Sequence, residues 1–311
     1  MTRMDLNKIL SEKEEEPRFG KTGYVALLGR PNTGKSTLLN TVLDHHVAAV
    51  SSKPQTTRKY LLGIHTDDDS QILFLDAPGI HVPKIALDEA MDASIRRVMK
   101  DADVVVCIVD PTREPGQEDQ LAAEAAQKSS KPVIIAINKN DIATDEQVAA
   151  SLEFYRGYLP DSPVVRMVAL DRDKVEPLLA LIKQHLHEGP FLYGEDEMTD
   201  VYERDIAAEL IREVLLEELK QEVPHCVAVT IDSWKETEKK ISIDATLNVE
   251  RPGHRGIILG KNGEMIKNIR QLATKKIADF CDARIQLSLF VKVVPDWRKK
   301  KKFLKDIRLM E

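Results

Sequence analysis

Residues 29–36 read Gly-Arg-Pro-Asn-Thr-Gly-Lys-Ser, and the fold follows from them. The stretch fits GxxxxGK[ST], in which glycines let successive backbone N–H groups turn inward around phosphate oxygens. An apolar run at 24–29 precedes it, and Leu38, Leu39, Val42 and Leu43 recur behind it at helical spacing. Strand, glycine turn and helix N-terminus in that order make an anion site, because the helix dipole adds its positive end to the amides of the loop. Lys35 reaches the β- and γ-phosphates as a point charge, and the Ser36 hydroxyl is a ligand for Mg²⁺. Four more short apolar runs lie at 72–79, 104–110, 132–141 and 163–170, with stretches rich in Ala and Glu between several of them. Buried strands alternating with helices predict an α/β domain whose mainly parallel sheet is covered on both faces.

Two of these runs end in polar motifs, which places both at the carboxyl edge of the sheet, where open α/β folds bind ligands. Asn138-Lys139-Asn140-Asp141 selects the base. Guanine presents two adjacent donors, N1–H and the 2-amino group, and the Asp141 carboxylate matches them with two acceptors. Adenine lacks that pair. Asn138 can brace neighbouring loops, and the stem of Lys139 can lie over the base. Asp76-Ala-Pro-Gly79 supplies an Mg²⁺ partner in Asp76 and a γ-phosphate N–H in Gly79. Between the two, Ser51–Arg58 (SSKPQTTR) is either a solvated loop or a segment that orders around γ-phosphate and metal.

The 311 residues suggest two domains of roughly 150 residues each. With 42 % apolar and 31 % charged residues the chain belongs with soluble globular proteins and far from disordered ones. Its 45 basic and 51 acidic residues give a net charge of −6, but the average hides a split. Residues 1–250 carry 29 basic and 45 acidic side chains, whereas residues 251–311 carry 16 and 6. A basic last fifth points to an anionic partner. Cys107, Cys226 and Cys281 form no CxxC pair, so a disulfide framework and a zinc site are not expected, and each thiol is expected to be buried. The pairs His45/His46 and His185/His187 lack neighbouring ligand residues and read as surface histidines. No signal peptide or membrane span is apparent, so a cytoplasmic protein is expected. Residues 1–19 read as a mobile acidic tail and 20–188 as the nucleotide domain. Gly189–Asp200, with its acidic residues, two glycines and proline, reads as a linker, and 201–311 as a second domain.

In that second domain, 201–221 reads as one helix, and the alternating stretches 225–234 and 239–250 read as an antiparallel pair. Gly260-Lys261-Asn262-Gly263 follows, then a helix over 264–281 and a strand over 285–294. Helix, two strands, GxxG, helix and strand resemble a KH domain, in which the GxxG loop clamps the backbone of single-stranded RNA. Gly260 and Gly263 would admit phosphates close to the main chain, Asn262 sits between them, and Lys261, Arg255 and Lys267 would add charge. Trp297–Lys302 (WRKKKK) is either a solvated helix start or a further phosphate contact.

GRPNTGKSTLLN, PQTTR, DAPGIH and NKND, in that order and ahead of the KH-like segment, resemble the Era family of ribosome-assembly GTPases, over about 290 residues. The resemblance implies a P-loop GTPase domain followed by an α+β type II KH domain, with GTP/GDP and Mg²⁺ as ligands. It implies binding near the 3′ end of small-subunit ribosomal RNA, a role in small-subunit assembly, and a monomer that is cytoplasmic or peripheral on the inner face of the membrane. The phosphate set becomes Gly29, Asn32, Thr33, Gly34, Lys35, Ser36, Thr37 and Gly79. The switch set becomes Thr56, Thr57, Asp76 and Ile80, and the Mg²⁺ ligands Ser36, Thr57 and Asp76. The family carries an apolar residue after DxPG, here Ile80, which cannot orient water, so intrinsic hydrolysis is expected to be slow. Asn32 stands where related GTPases hold K⁺. Thr33 replaces a small apolar residue. The fifth guanine motif reads Val168-Ala169-Leu170, so the backbone of Ala169 remains but the usual serine is missing. Two rivals are a membrane-surface GTPase whose lysine run meets anionic lipid, and an RNA-binding protein whose nucleotide domain is structural.

Overall fold

The computed structural model describes residues 18–51, 53, 56–81 and 85–310. Its first sheet has the order β2-β3-β1-β4-β5-β6, with β7 added antiparallel to the start of β1. The strands are β1 (Phe19–Leu28), β2 (Leu61–Thr66), β3 (Ser70–Asp76), β4 (Val104–Val109), β5 (Val133–Ile137), β6 (Val164–Arg166) and β7 (His187–Pro190). The helices are α1 (Lys35–Leu43), α2 (Ala86–Asp101), α3 (Gln117–Lys128), α4 (Asp145–Arg156) and α5 (Arg172–His185). Every residue of β3, β4 and β5 is buried. Successive side chains of a strand face opposite ways. Accordingly Ala26 and Leu28 join one core beneath α3 and α4, while Val25 and Leu27 join a second core beneath α1 and α5. Those two cores fulfil the expectation of a parallel sheet covered on both faces.

The antiparallel edge strand β2 was not among the expected runs. Its sequence, LLGIHT, is short, half-exposed at its ends and broken by a glycine. Only pairing with β3 over Leu61–Thr66 makes it a strand. Residues 1–17 of the expected tail lie outside the described residues, but the tail boundary at 19 shifts. Phe19 opens β1, and Arg18 Nη2 donates to the Asp67 carbonyl at 2.9 Å. The stretch 189–200 also departs from a free linker, being pinned along the first sheet. Leu192 and Tyr193 N–H groups both donate to Gln71 Oε1, at 2.7 and 3.0 Å, and Ile64 N–H donates to the Met198 carbonyl at 2.8 Å.

The C-terminal part opens with α6 (Glu203–Glu218), then β8 (Val227–Thr237) and β9 (Lys240–Val249), which pair antiparallel. Next come α7 (Pro252–Leu259), α8 (Glu264–Cys281), β10 (Ile285–Val293), parallel to β9, and a short α9 (Lys301–Asp306). The apolar rows of α6 and α8 close one face of the three-stranded sheet, with Leu210, Val214, Ile269 and Ala273 fully or almost fully buried. Cys107 and Cys226 are buried, whereas Cys281 at the end of α8 is half-exposed. Among the described residues, no helix is long and apolar enough to cross a membrane.

The two sheets are joined by a small fourth core. Leu87 and Met91 of α2 pack with Ala228, Trp297 and Leu304. Trp297 opens the basic run read as either a solvated helix start or a phosphate contact, yet it is completely buried, and its Nε1 donates to the Cys226 carbonyl at 2.9 Å. The lysines after it keep to the surface, and Lys301 pairs with Glu89 of α2 at 3.0 Å.

Candidate nucleotide site and GxxG loop

The residues that open α1 and those that follow or end β3 and β5 meet at one edge of the first sheet. Gly34 takes φ +99°, and a Cβ there would stand 2.2 Å from Asn138 Nδ2, so only glycine fits. The close approach is used: Asn138 Nδ2 donates to the Thr33 carbonyl at 2.8 Å, and its Oδ1 accepts from Ala169 N–H at 2.8 Å. One buried amide thus ties the phosphate loop, the NKND loop and the 168–170 loop together. Thr41 Oγ1, from α1, donates to the Ala169 carbonyl at 2.6 Å.

Asn32, Gly34, Lys35, Ser36, Thr37, Thr56, Thr57 and Gly79 line one pocket. Thr33 is fully buried below it. Asn32 is exposed, with φ +65°. Lys35 is 5 % exposed, and its ammonium donates to the carbonyls of Arg30 at 2.8 Å and Gly29 at 3.2 Å. Burial lowers its pKa to about 8, against the pull of Asp76. Ile80 is buried in the first core, and its N–H donates to the Gly29 carbonyl at 3.1 Å. Of the loop 51–58, Ser52, Pro54 and Gln55 lie outside the described residues.

Ser36, Thr57 and Asp76 converge. Ser36 Oγ donates to Asp76 Oδ2 at 2.6 Å and lies 2.9 Å from Thr57 Oγ1. Asp76 is fully buried, and its Oδ1 has no hydrogen-bond partner. Burial raises its pKa to about 6, despite the Ser36 hydrogen bond and the Lys35 charge. An orphaned carboxylate oxygen beside two hydroxyls is a hard-oxygen donor set that fits Mg²⁺, whose charge would hold the carboxyl ionised. At the guanine end Asp141 is exposed, while the Lys139 ammonium lies 2.6 Å from Asp110 Oδ2.

The 260–263 loop sits far along the chain, between α7 and α8. Gly260 adopts φ +71°, and a Cβ there would lie 2.6 Å from Met265 Cβ, whereas Gly263, at φ +78°, faces open space. Arg255, Lys261, Asn262 and Lys267 are exposed around it. Phe290 of β10 and Ile257 of α7 are exposed apolar residues of the same unit, at 58 % and 50 %.

Three residues near the site were assigned no role from the sequence. Arg58, directly after Thr57, is 3 % exposed and bonds the Val227 and His225 carbonyls of the C-terminal unit at 2.8 and 2.9 Å. Its guanidinium lies 5.5 Å from the Trp297 ring centroid. Lys53 donates to the carbonyls of Leu216 and Leu219 at the end of α6. His46, read as a surface histidine, pairs with the buried Glu213 at 2.8 Å. The basic character of 51–58 signalled anion chemistry; nothing in its sequence named a protein partner.

Residues 24–139 match the model of a 50S ribosome-binding GTPase family, and residues 222–298 match a KH domain. Fold and site together define a P-loop GTPase joined to a KH domain. The chain is 40 % identical over 292 residues to GTPase Era of Clostridium novyi, covering 94 % of this chain and 99 % of that one. To GTPase Era of Clostridium acetobutylicum it is 41 % identical over 278 residues, covering 89 % and 94 %. A structure of an Aquifex aeolicus Era variant bound to GDP·AlF4⁻ superposes with TM-score 0.88 at 33 % identity, covering 94 % of this chain and all of that one. Era in complex with MgGDPNP and nucleotides 1506–1542 of 16S ribosomal RNA superposes with TM-score 0.89, also at 33 % identity and the same coverage. This chain belongs to the Era family of GTPases.

Replacing Asn138 by Ala strands the Thr33 carbonyl and the Ala169 N–H. Each stranded partner costs about 1–3 kcal/mol of folding stability, so Asn138→Ala is expected to lower thermal stability and, because the phosphate and guanine-side loops are then less ordered before binding, to weaken GDP binding at least about tenfold. Calorimetric titration with GDP checks it.

Proposed function

We propose that this protein is a GTP-hydrolysing switch that binds the 3′ region of small-subunit ribosomal RNA and assists small-subunit assembly, as a cytoplasmic monomer. The observation that carries this reading is the presence in one chain of a phosphate pocket with a guanine edge and of an exposed GxxG loop ringed by Arg255, Lys261 and Lys267. Era solved with MgGDPNP and 16S ribosomal RNA supports it. Residues 20–188 bind nucleotide, 201–311 bind RNA, and 189–200 connect them. In the nucleotide unit, the amides of the phosphate loop and Gly79 receive the phosphates, and Lys35 exchanges its loop carbonyls for phosphate oxygens. Asp141 reads the guanine edge, with Asn138 and Ala169 holding the loops around it. Ser36, Thr57 and Asp76 would hold Mg²⁺, which when bound neutralises charge on the phosphates. Ile80 presents no polar atom to a water, so turnover without a partner is slow.

Crosslinking to total cellular RNA, followed by mapping, tests the partner. The expected result is enrichment of the small-subunit 3′ region, lost in the Lys261→Glu/Lys267→Glu variant; enrichment elsewhere overturns the reading.

Nucleotide state reaches the RNA unit through Arg58 and Trp297. Thr57 belongs to the metal site, its neighbour Arg58 stacks on Trp297, and Leu87 and Met91, which follow the DAPG motif, pack on the same indole. Both segments that flank the γ-phosphate position therefore press on one side chain. In the parent protein RNA affinity differs between GDP and a non-hydrolysable GTP analogue, and in Arg58→Ala the two affinities converge. Equal affinities in the parent would sink this coupling.

Asn32, at the mouth of the phosphate pocket, is assigned to K⁺. Turnover is then faster in K⁺ than in Na⁺ buffer, and equal rates would remove the assignment.

A further inference from the structure

Behind the guanine edge lies a buried charge cluster whose carboxylates, Asp110 and Asp119, belong to none of the motifs. Arg30, the second residue of the phosphate-loop stretch, reaches two carboxylates. Its Nε donates to Asp119 Oδ1 at 3.1 Å, and its Nη2 donates to the Asp110 main-chain carbonyl at 2.9 Å and stands 3.7 Å from Asp110 Oδ2. Tyr155 Oη donates to the same Asp119 oxygen at 3.0 Å, and Asp119 Oδ2 accepts from Gly116 N–H at 3.0 Å. Arg30, Asp110, Asp119 and Tyr155 are all buried. Burial of this kind is tolerated only when charges are paired and hydrogen bonds complete.

Asp110 ends β4 and is fully committed. Its Oδ1 accepts from Thr112 N–H at 3.0 Å and from Thr112 Oγ1 at 2.6 Å, which leaves Oδ2 for the Lys139 ammonium at 2.6 Å. Lys139 is pinned at its other end too. It adopts φ +55°, a conformation uncommon for a side-chain-bearing residue. Its carbonyl accepts from the N–H groups of Ile142 and Ala143, both at 3.1 Å. The four methylenes of Lys139 are therefore stretched between two fixed points, one residue from Asn138 and two from Asp141. A free lysine has many rotamers to lose on binding. Fixing it in the unliganded protein removes that loss from the binding step.

We propose that Asp110 is a positioning residue for guanine nucleotide: it anchors the ammonium of Lys139 so that the lysine stem is preset as an apolar surface for the purine. Arg30, itself held by Asp119, to which Tyr155 also donates, keeps Asp110 in place. The proposal rests on the guanine reading of 138–141, which is tested separately by comparing GDP with ADP in the parent protein.

The experiment is a double-mutant cycle on the full chain, reading GDP affinity for the parent, Asp110→Asn, Lys139→Met and the double variant. Inorganic tripolyphosphate serves as a ligand without a base. Asp110→Asn is expected to raise the Kd for GDP about tenfold in the parent background. In the Lys139→Met background it raises Kd no further, and tripolyphosphate binding does not change. A tenfold rise in both backgrounds, no rise in the parent, or an equal loss of tripolyphosphate binding would each overturn the proposal. Where Asp110→Asn does not fold, Asp110→Glu is read in the same cycle, since it keeps the charge but displaces the carboxylate by one methylene. A purely structural role would lower thermal stability in both backgrounds without this dependence on Lys139.

Discussion

The ammonium of Lys35 is buried with only two loop carbonyls for company, and the rest of the nucleotide site is arranged around that fact. A cation so placed has lost most of its hydration, which is why burial pulls its pKa down to about 8. Carbonyl oxygens compensate only partly. Phosphate oxygens would compensate fully, and the backbone amides of the same loop point to where they would sit. The mirror image lies a few residues away in space, where the buried Asp76 has one oxygen satisfied by Ser36 and one by nothing. A stranded cation and a stranded carboxylate side by side fit a ligand that is itself an anion carrying a metal.

A second buried cation, Arg58, links this local electrostatics to the rest of the molecule. Burial and the neighbouring Arg212 lower its pKa to about 9, and its Nε has no partner. It is held by two carbonyls and an indole face, all from the C-terminal unit. Such a contact is directional, because hydrogen bonds and a ring face set the angle of approach. Nearby, Glu213 is desolvated yet remains below the usual carboxylate range because His46 and Lys276 flank it. Position within the interface is therefore set by charges, and adhesion by the small core around Trp297.

Much of this could be read from the residues in order, and the boundary of what could be read is physical. The phosphate loop, DAPG and NKND are legible because each is a contiguous turn whose chemistry is carried by its own backbone and side chains. The buried strands β3, β4 and β5 are legible because an unbroken apolar run has few other uses. β2 is different: LLGIHT becomes a strand only because β3 lies beside it. Arg58 and Trp297 were opaque for a related reason. Their partners lie far away, 169 positions in the case of Arg58 and Val227, and a basic residue next to a phosphate site suggests an anion before it suggests a carbonyl. Asp110 closes an apolar run and belongs to no contiguous motif, since the lysine it holds comes 29 positions later.

The overall charge of −6 takes on a different meaning at this level. The acidic excess of the first 250 residues is not a field that repels nucleotide, because carboxylates beside the site are internally matched: Asp110 and Asp119 by Arg30 and Lys139. Among the basic residues of the last 61, by contrast, Arg255, Lys261 and Lys267 stand exposed around the GxxG loop. Unmatched surface charge acts over about a Debye length, roughly 8–10 Å in salt, and attracts a polyanion before any specific contact forms. Buried matched charge acts only on contact and rewards correct geometry. One chain thus uses the two regimes for two ligands: capture of a long phosphate backbone on the outside, and recognition of a single nucleotide within.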